Sequence, residues 1–247
     1  MTAKSGNFSM NPHAEEAKRR LLAIAVPDYA LTAARYFKTG VGEYGEGDVF
    51  VGVRVPQVRA LAKEFAPKLA PAEVLPLLSD PIHECRLLAL LIWTLQYPKA
   101  GEKERETIFT LYLSHTAFIN NWDLVDLSAY QIVGAHLRER ERDRSRLDRL
   151  AASASLWEQR ISIVATWGYI REKDFADTLR IADKLLRHKH DLIHKAVGWM
   201  LREVGKRDKT TLLAFLEPRY TRMPRTMLRY AIEKFSPDER ACFMRKV

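Results

Sequence analysis

One carboxylate in this sequence stands out because of its neighbours. Five stretches, IHECRLLALLIW, WDLVDLSAYQIVG, LWEQRISIVATWG, LIHKAVGWMLREV and MPRTMLRYAIEKF, each place a polar residue in their opening turns ahead of a strongly apolar run. Those residues are Arg86, Asp126, Arg160, Lys195 and Arg229, so four are cations and one is an acid. A cationic track neutralises successive phosphates of a nucleic acid. Arg219, Arg222, Arg225 and Arg229 extend such a track through a stretch, 219–231, that contains no acid. A lone carboxylate would repel that ligand. It becomes useful where positive charge has to be stabilised, on a cationic base or on a sugar carbon gaining oxocarbenium character as a glycosidic bond breaks. It can also orient an attacking water. Trp122 lies four residues before Asp126, on the same helix face, and Trp199 four residues after Lys195. Aromatic faces beside a carboxylate suit a cation, or stacking on a sugar and base. The same residues also have an ordinary structural reading, in which Asp126 pairs with Arg160 and both tryptophans fill core.

A repeated helical frame is needed to bring these positions into register. The five polar positions are spaced 40, 34, 35 and 34 residues apart. A period in the mid-thirties to forties with two helices per unit is that of helical solenoids, in which one helix of each pair lines the concave face. Helices sandwiched between neighbouring units are apolar nearly all round, as Leu87 to Leu95 is. An irregular helical bundle is the alternative. Ahead of the repeats, an amphipathic helix is predicted over His13 to Val26, with Ala17, Leu21, Leu22 and Ala25 on one face. A second is predicted over Asp28 to Lys38, with Pro27 at its start. Between them and the repeats lies KTGVGEYGEGDVFVGV, which holds five of the eleven glycines. The only strand-like alternation is the short piece from Val49 to Val55. The expected architecture is all-α, an α-solenoid with a concave basic groove, occupying residues 13–247 as one repeat domain behind a flexible N-terminal segment, 1–12.

Composition narrows the function classes. Forty Lys and Arg against 31 Asp and Glu leave a net charge of +9, which favours a polyanionic partner. Hydrophobic residues at 47% supply a core and exclude global disorder. No apolar run approaches the ~18 residues of a membrane span, and the first residues lack the apolar region of a signal peptide. Two cysteines far apart, Cys85 and Cys242, fit a reducing cytosol. The run from Arg138 to Arg149 alternates six arginines with Glu139, Glu141, Asp143 and Asp148, which reads as a solvated, salt-bridged junction. Gly40-Val41-Gly42-Glu43-Tyr44-Gly45 has dinucleotide-loop spacing but follows a helix instead of a strand, so it is set aside. His188, His190 and His194 have only Asp191 as a nearby ligand partner, so no metal is assigned. No nucleophile signature is present, and no cofactor is expected.

Several of these motifs occur together in one family. WDLVD (122–126), WEQR (157–160) and KAVGWMLRE (195–203), with the opening segment GEGDVFVGVRVPQVRALAK (45–63), make the sequence resemble the bacterial DNA alkylation repair family. These are the AlkD-like DNA glycosylases built from HEAT-like repeats. The resemblance runs over residues 20–235. It implies excision of cationic 3-alkyladenine and 7-alkylguanine bases from double-stranded DNA, without swinging the nucleotide into a pocket; the protein is expected to act as a monomer. By motif position it places the catalytic carboxylate on Asp126 and the two aromatics contacting the lesion's deoxyribose on Trp122 and Trp199. It places the groove arginine on Arg160. The cationic ladder and the arginine stretch themselves make Lys195, Arg86, Arg229, Arg225 and Arg222 the further expected DNA contacts. The sequence departs from the family's pattern at two points. Asn121 stands where members often carry a second aromatic, and the Gly-rich loop from Lys38 to Gly52 is longer. Two other functions stay open at this level: a non-catalytic solenoid that binds distorted DNA, and a protein-interaction scaffold.

Overall fold

The computed structural model describes residues 10–139 and 143–245. In chain order the helices are α1 (Pro12–Ala23), α2 (Pro27–Tyr36), α3 (Val55–Phe65), α4 (Leu75–Leu78), α5 (His83–Gln96), α6 (Glu102–Ser114), α7 (Trp122–Ala129) and α8 (Ala135–Glu139). They continue with α9 (Ser145–Ala151), α10 (Leu156–Val164), α11 (Trp167–Arg171), α12 (Ala176–Lys184), α13 (Asp191–Gly205), α14 (Lys209–Leu216), α15 (Arg225–Ala231) and α16 (Pro237–Met244). Among the described residues there is no strand, only an isolated bridge between Val49 and Ile82. The chain is therefore all-α and of helical-repeat type. It divides into two compact units, one ending at Leu124 and one beginning at Val125.

In the first unit, α1 begins at Pro12, capped by the Asn11 side chain, so the helix starts within the segment expected to be flexible. Residues 1–9 of that segment lie outside the described residues. Ala14, Ala17 and Leu21 are buried, whereas Leu22 is exposed. The helix ends at Ala23 instead of the expected Val26 because Pro27 opens α2 and holds the residue before it extended. Every residue of α5 from His83 to Thr94 is buried, which matches the all-round apolar pattern. The Gly-rich segment docks on the start of this helix. The Glu84 carboxylate accepts hydrogen bonds from the backbone N–H groups of Val51, Gly52 and Val53, and His83 N–H donates to the Val49 carbonyl.

In the second unit, the helical run that starts as α7 passes through a π-helical turn, Tyr130–Gly134, into α8. Helices α10, α13 and α15 pack in succession. The α13–α15 approach depends on Gly198, where a Cβ would lie 2.5 Å from the Met227 carbonyl oxygen. Arg140 and Arg142 of the arginine-rich run lie outside the described residues. Of the others, Arg144 pairs with Asp174 and Asp177, Arg146 and Arg149 with Asp143, and Arg138 with Glu172. In its described residues the run is salt-bridged, as its alternating signs implied.

Candidate functional site

In the second unit Asp126 meets Arg160. Ser155 caps α10 and Arg160 follows in the second turn, turned inward and 4% exposed. Its Nε donates to Oδ1 of Asp126 at 2.8 Å and its Nη2 to Oδ2 at 2.7 Å, the two-pronged geometry in which guanidinium and carboxylate bind most strongly. The third arm, Nη1, donates to the Leu192 carbonyl in the first turn of α13. One buried guanidinium thus ties α7, α10 and α13 together. The pairing put forward as the structural reading of Asp126 is formed. The pair is lopsided, however, because the Asp126 side chain is 21% exposed and that of Arg160 only 5%. The carboxylate is the half that ligands can reach. Each of its oxygens carries two lone pairs, so a guanidinium on one edge does not exhaust its capacity to accept.

Trp199, on α13, is half-buried, so it is not simple core filler. Its ring lies 6.3 Å from that of Trp167, which meets Tyr130 edge-on at 4.4 Å. The Arg171 guanidinium lies over Trp167. Neither Tyr130 nor Trp167 was singled out from the sequence. Tyr130 was accessible there, being four residues beyond Asp126 and so on its face.

Trp122 opens α7 in the first unit and is half-buried. It stacks on Phe37 at 5.3 Å and 22°, and Tyr36 approaches it at 6.0 Å and 72°. Beneath these rings lies a buried polar cluster. Arg86 is 5% exposed; its Nη2 donates to Asp48 at 2.6 Å and its Nη1 to the carbonyls of Asp80 and Pro81. His83 lies between Asp48 at 3.1 Å and Asp123 at 2.9 Å. Burial works against protonation of His83, but the charge and hydrogen bond of Asp123 and those of Asp48 outweigh it and raise its pKa from 6.5 to about 9. The ring is therefore an imidazolium at neutral pH. Burial likewise opposes ionisation of Asp48, yet hydrogen bonds from His83 and Asn121 and the Arg86 charge hold it below the usual carboxylate range.

Of the five repeated polar positions, Arg86 and Arg160 are thus buried in ion pairs, as a desolvated charge requires. Lys195 pairs with Asp191 at 2.7 Å, one turn earlier on α13. Arg229 is exposed, as are Arg222 and Arg225, which donate to the carbonyls of Pro218 and Met244. Arg219 pairs with Asp183. The three histidines form the start of α13: His190 accepts from Leu192 N–H, His188 accepts from His190 N–H and meets Gln159, and His194 reaches the His188 carbonyl. Among the described residues no group of three His, Cys, Asp or Glu side chains could hold a metal ion. No helix among them is long and apolar enough to cross a membrane.

Comparison with known proteins gives these features a context. The family model for DNA alkylation repair enzymes matches residues 17–235. The solved structure of a predicted DNA alkylation repair enzyme from Enterococcus faecalis is similar with a TM-score of 0.68 at 14% identity, over 86% of this chain and 97% of that one. At that identity the likeness is one of fold. No match was found among curated proteins.

Proposed function

Because the chain belongs to the DNA alkylation repair enzyme family, we propose that it acts on double-stranded DNA as a glycosylase for cationic alkylated purines, of the 3-alkyladenine and 7-alkylguanine types. The observation that carries this reading is the lopsided Asp126–Arg160 pair, with its carboxylate at the exposed edge and its cation buried. An alkylated purine already bears positive charge. When its bond to C1′ breaks, the electron pair moves onto the purine nitrogen and the base departs neutral, with no general acid needed. The charge left on the sugar is what Asp126 would face. Water then adds to C1′ and gives up a proton, with the same carboxylate as its acceptor. Trp122 and Trp199 would contact the deoxyribose. Lys195, Arg222, Arg225 and Arg229 would meet phosphates of the duplex, while the buried Arg86 and Arg160 would act through the carboxylates they hold.

The test is release of 7-methylguanine from duplex DNA. The wild type releases the base, and Asp126→Asn slows release by at least a hundredfold while its salt-dependent DNA affinity stays within a few-fold. A wild type that releases no base sinks the enzymatic reading. A second reading, binding of distorted DNA without excision, is favoured by one fact: both oxygens of Asp126 already receive hydrogen bonds from Arg160. It predicts salt-dependent affinity with no product, whereas a protein scaffold predicts neither.

A further inference from the structure

Both departures from the family's sequence pattern meet at Asp48. This residue belongs to the Gly-rich loop, and four side chains donate to its carboxylate. Arg86 Nη2 and Asn120 Nδ2 reach Oδ1 at 2.6 and 3.2 Å, and His83 Nδ1 and Asn121 Nδ2 reach Oδ2 at 3.1 Å each. Asn121 is fully buried. Having given its amide N–H to Asp48, it turns its oxygen to the backbone N–H of Trp122 at 2.8 Å, capping α7. The far nitrogen of His83 holds Asp123 in the first turn of the same helix. Asn120, Asn121 and Asp123, the neighbours of Trp122 in the chain, are therefore all fixed directly or at one remove by Asp48.

The same hub also controls the face of the indole. The His83 ring stacks on Phe50 at 4.4 Å and leans on Phe37 at 5.2 Å, and Phe37 in turn stacks on Trp122. The loop has no slack here. A Cβ at Gly45 would lie 2.4 Å from the Phe37 carbonyl oxygen, 3.1 Å from that of Lys38 and 3.4 Å from Asn121 Nδ2. A phenylalanine at position 121 could neither accept from the Trp122 N–H nor donate to Asp48. A buried charged cluster is a poor way to gain stability, since apolar replacements of the same shape do as well. A fully connected one does specify a single arrangement.

We propose that Asp48 is a positioning residue, acting with His83 and Asn121 to clamp the start of α7 onto the Gly-rich loop and set the orientation of the Trp122 ring. Its consequence for catalysis rests on the reading of Trp122 as a lesion-contacting residue; the clamp itself does not. Asp48→Asn keeps the shape of the side chain and removes the charge that faces His83 and Arg86.

The test follows the indole N–H signals of the five tryptophans in 15N-labelled protein, with that of Trp122 assigned from Trp122→Phe. In Asp48→Asn the Trp122 signal shifts or broadens while those of Trp93, Trp157, Trp167 and Trp199 stay in place. The midpoint of His83 titration falls, with Asp123 on α7, Asp48 on the loop and Arg86 on α5 being the charges that face that ring. Release of 7-methylguanine slows ten- to a hundredfold, with DNA affinity changed less than threefold. Asn121→Ala, which removes the cap but no charge, moves the same Trp122 signal and serves if Asp48→Asn does not fold. A Trp122 signal unmoved in a folded variant overturns the proposal, whatever happens to the melting temperature. A wild type without glycosylase activity removes only the kinetic arm, and the spectra still decide whether Asp48 orients Trp122.

Discussion

Replacing Asp126 by Asn probes the ion pair at the centre of the second unit. The substitution keeps the side-chain shape and one acceptor oxygen. It turns two charged contacts, at 2.8 and 2.7 Å, into one neutral contact and points an amide N–H₂ at a guanidinium. With the two charges ~4 Å apart and an effective dielectric constant near 20, the attraction lost is about 4 kcal/mol. Arg160, 4% exposed, cannot recover this by rehydrating and keeps its bond to the Leu192 carbonyl and that one neutral contact. Breaking a buried pair from one side costs roughly 3–5 kcal/mol. Because the carboxylate side is 21% exposed, water tempers the loss, and the expected cost is about 2–4 kcal/mol. At about 2–4 °C per kcal/mol for a chain of this size, calorimetry should find Asp126→Asn melting roughly 4–16 °C below the wild type. Arg160→Met in the same background removes the stranded charge and should recover part of the deficit, giving a coupling energy of about 1–3 kcal/mol in the double-mutant cycle. A shift under ~2 °C, or strict additivity of the two substitutions, would refute the reasoning, because the pair would then not hold Asp126 in solution.

Two further outcomes follow from the first unit. His83, with its pKa raised to about 9, binds its proton more tightly folded than unfolded, so its contribution is whole below about pH 6.5 and is lost as pH rises toward 9. The melting temperature should therefore fall across that window by an amount worth up to about 3 kcal/mol, and His83→Gln should flatten the decline; a wild-type curve already flat there contradicts the buried imidazolium. Glu84→Gln replaces the acceptor of three backbone N–H groups with a side chain that has one acceptor oxygen, at a cost of about 1.5–3 kcal/mol. Hydrogen exchange at Val51, Gly52 and Val53 should speed up, and unchanged exchange would show that the carboxylate does not hold the loop.

What the sequence disclosed depended on how local the signal was. The apolar run of α5 and the recurring polar positions follow helical periodicity, so the all-α repeat and the pairing of Asp126 with Arg160, 34 residues away, could both be read. Trp122 was found because i and i+4 share a helix face. Asp48 was invisible. It sits in a loop with no period, and its partners lie 35 and 73 residues away at His83 and Asn121, a distance no local pattern encodes. Arg86 shows the same limit from the other side. Its position in the repeat was legible, but its burial was not, because the countercharge that makes a desolvated guanidinium tolerable there is the Asp48 carboxylate in the loop. Asn121 read as a missing aromatic until its partner was known.

The acid among the cations no longer conflicts with a polyanionic ligand once the position of its countercharge is considered. Asp123 and Asp126 lie three residues apart on α7, a spacing at which like charges repel. Each is balanced by a buried cation, His83 in the first unit and Arg160 in the second. A carboxylate backed by a cation ~4 Å behind it is a dipole. In line with that dipole, a charge at ~3 Å feels more than half the bare pull of the carboxylate, because the cation is then ~7 Å away; at ~10 Å it feels less than a third, before salt screening reduces it further. A phosphate approaching from a distance therefore feels little net charge from the pair, and the acid is nearly silent. Only a cation in contact with the Asp126 oxygens, such as a sugar carbon losing a charged base, experiences more than half of the carboxylate's pull. A carboxylate without Arg160 behind it would repel phosphates at both ranges, so pairing the acid with a buried arginine is what lets a basic surface carry it.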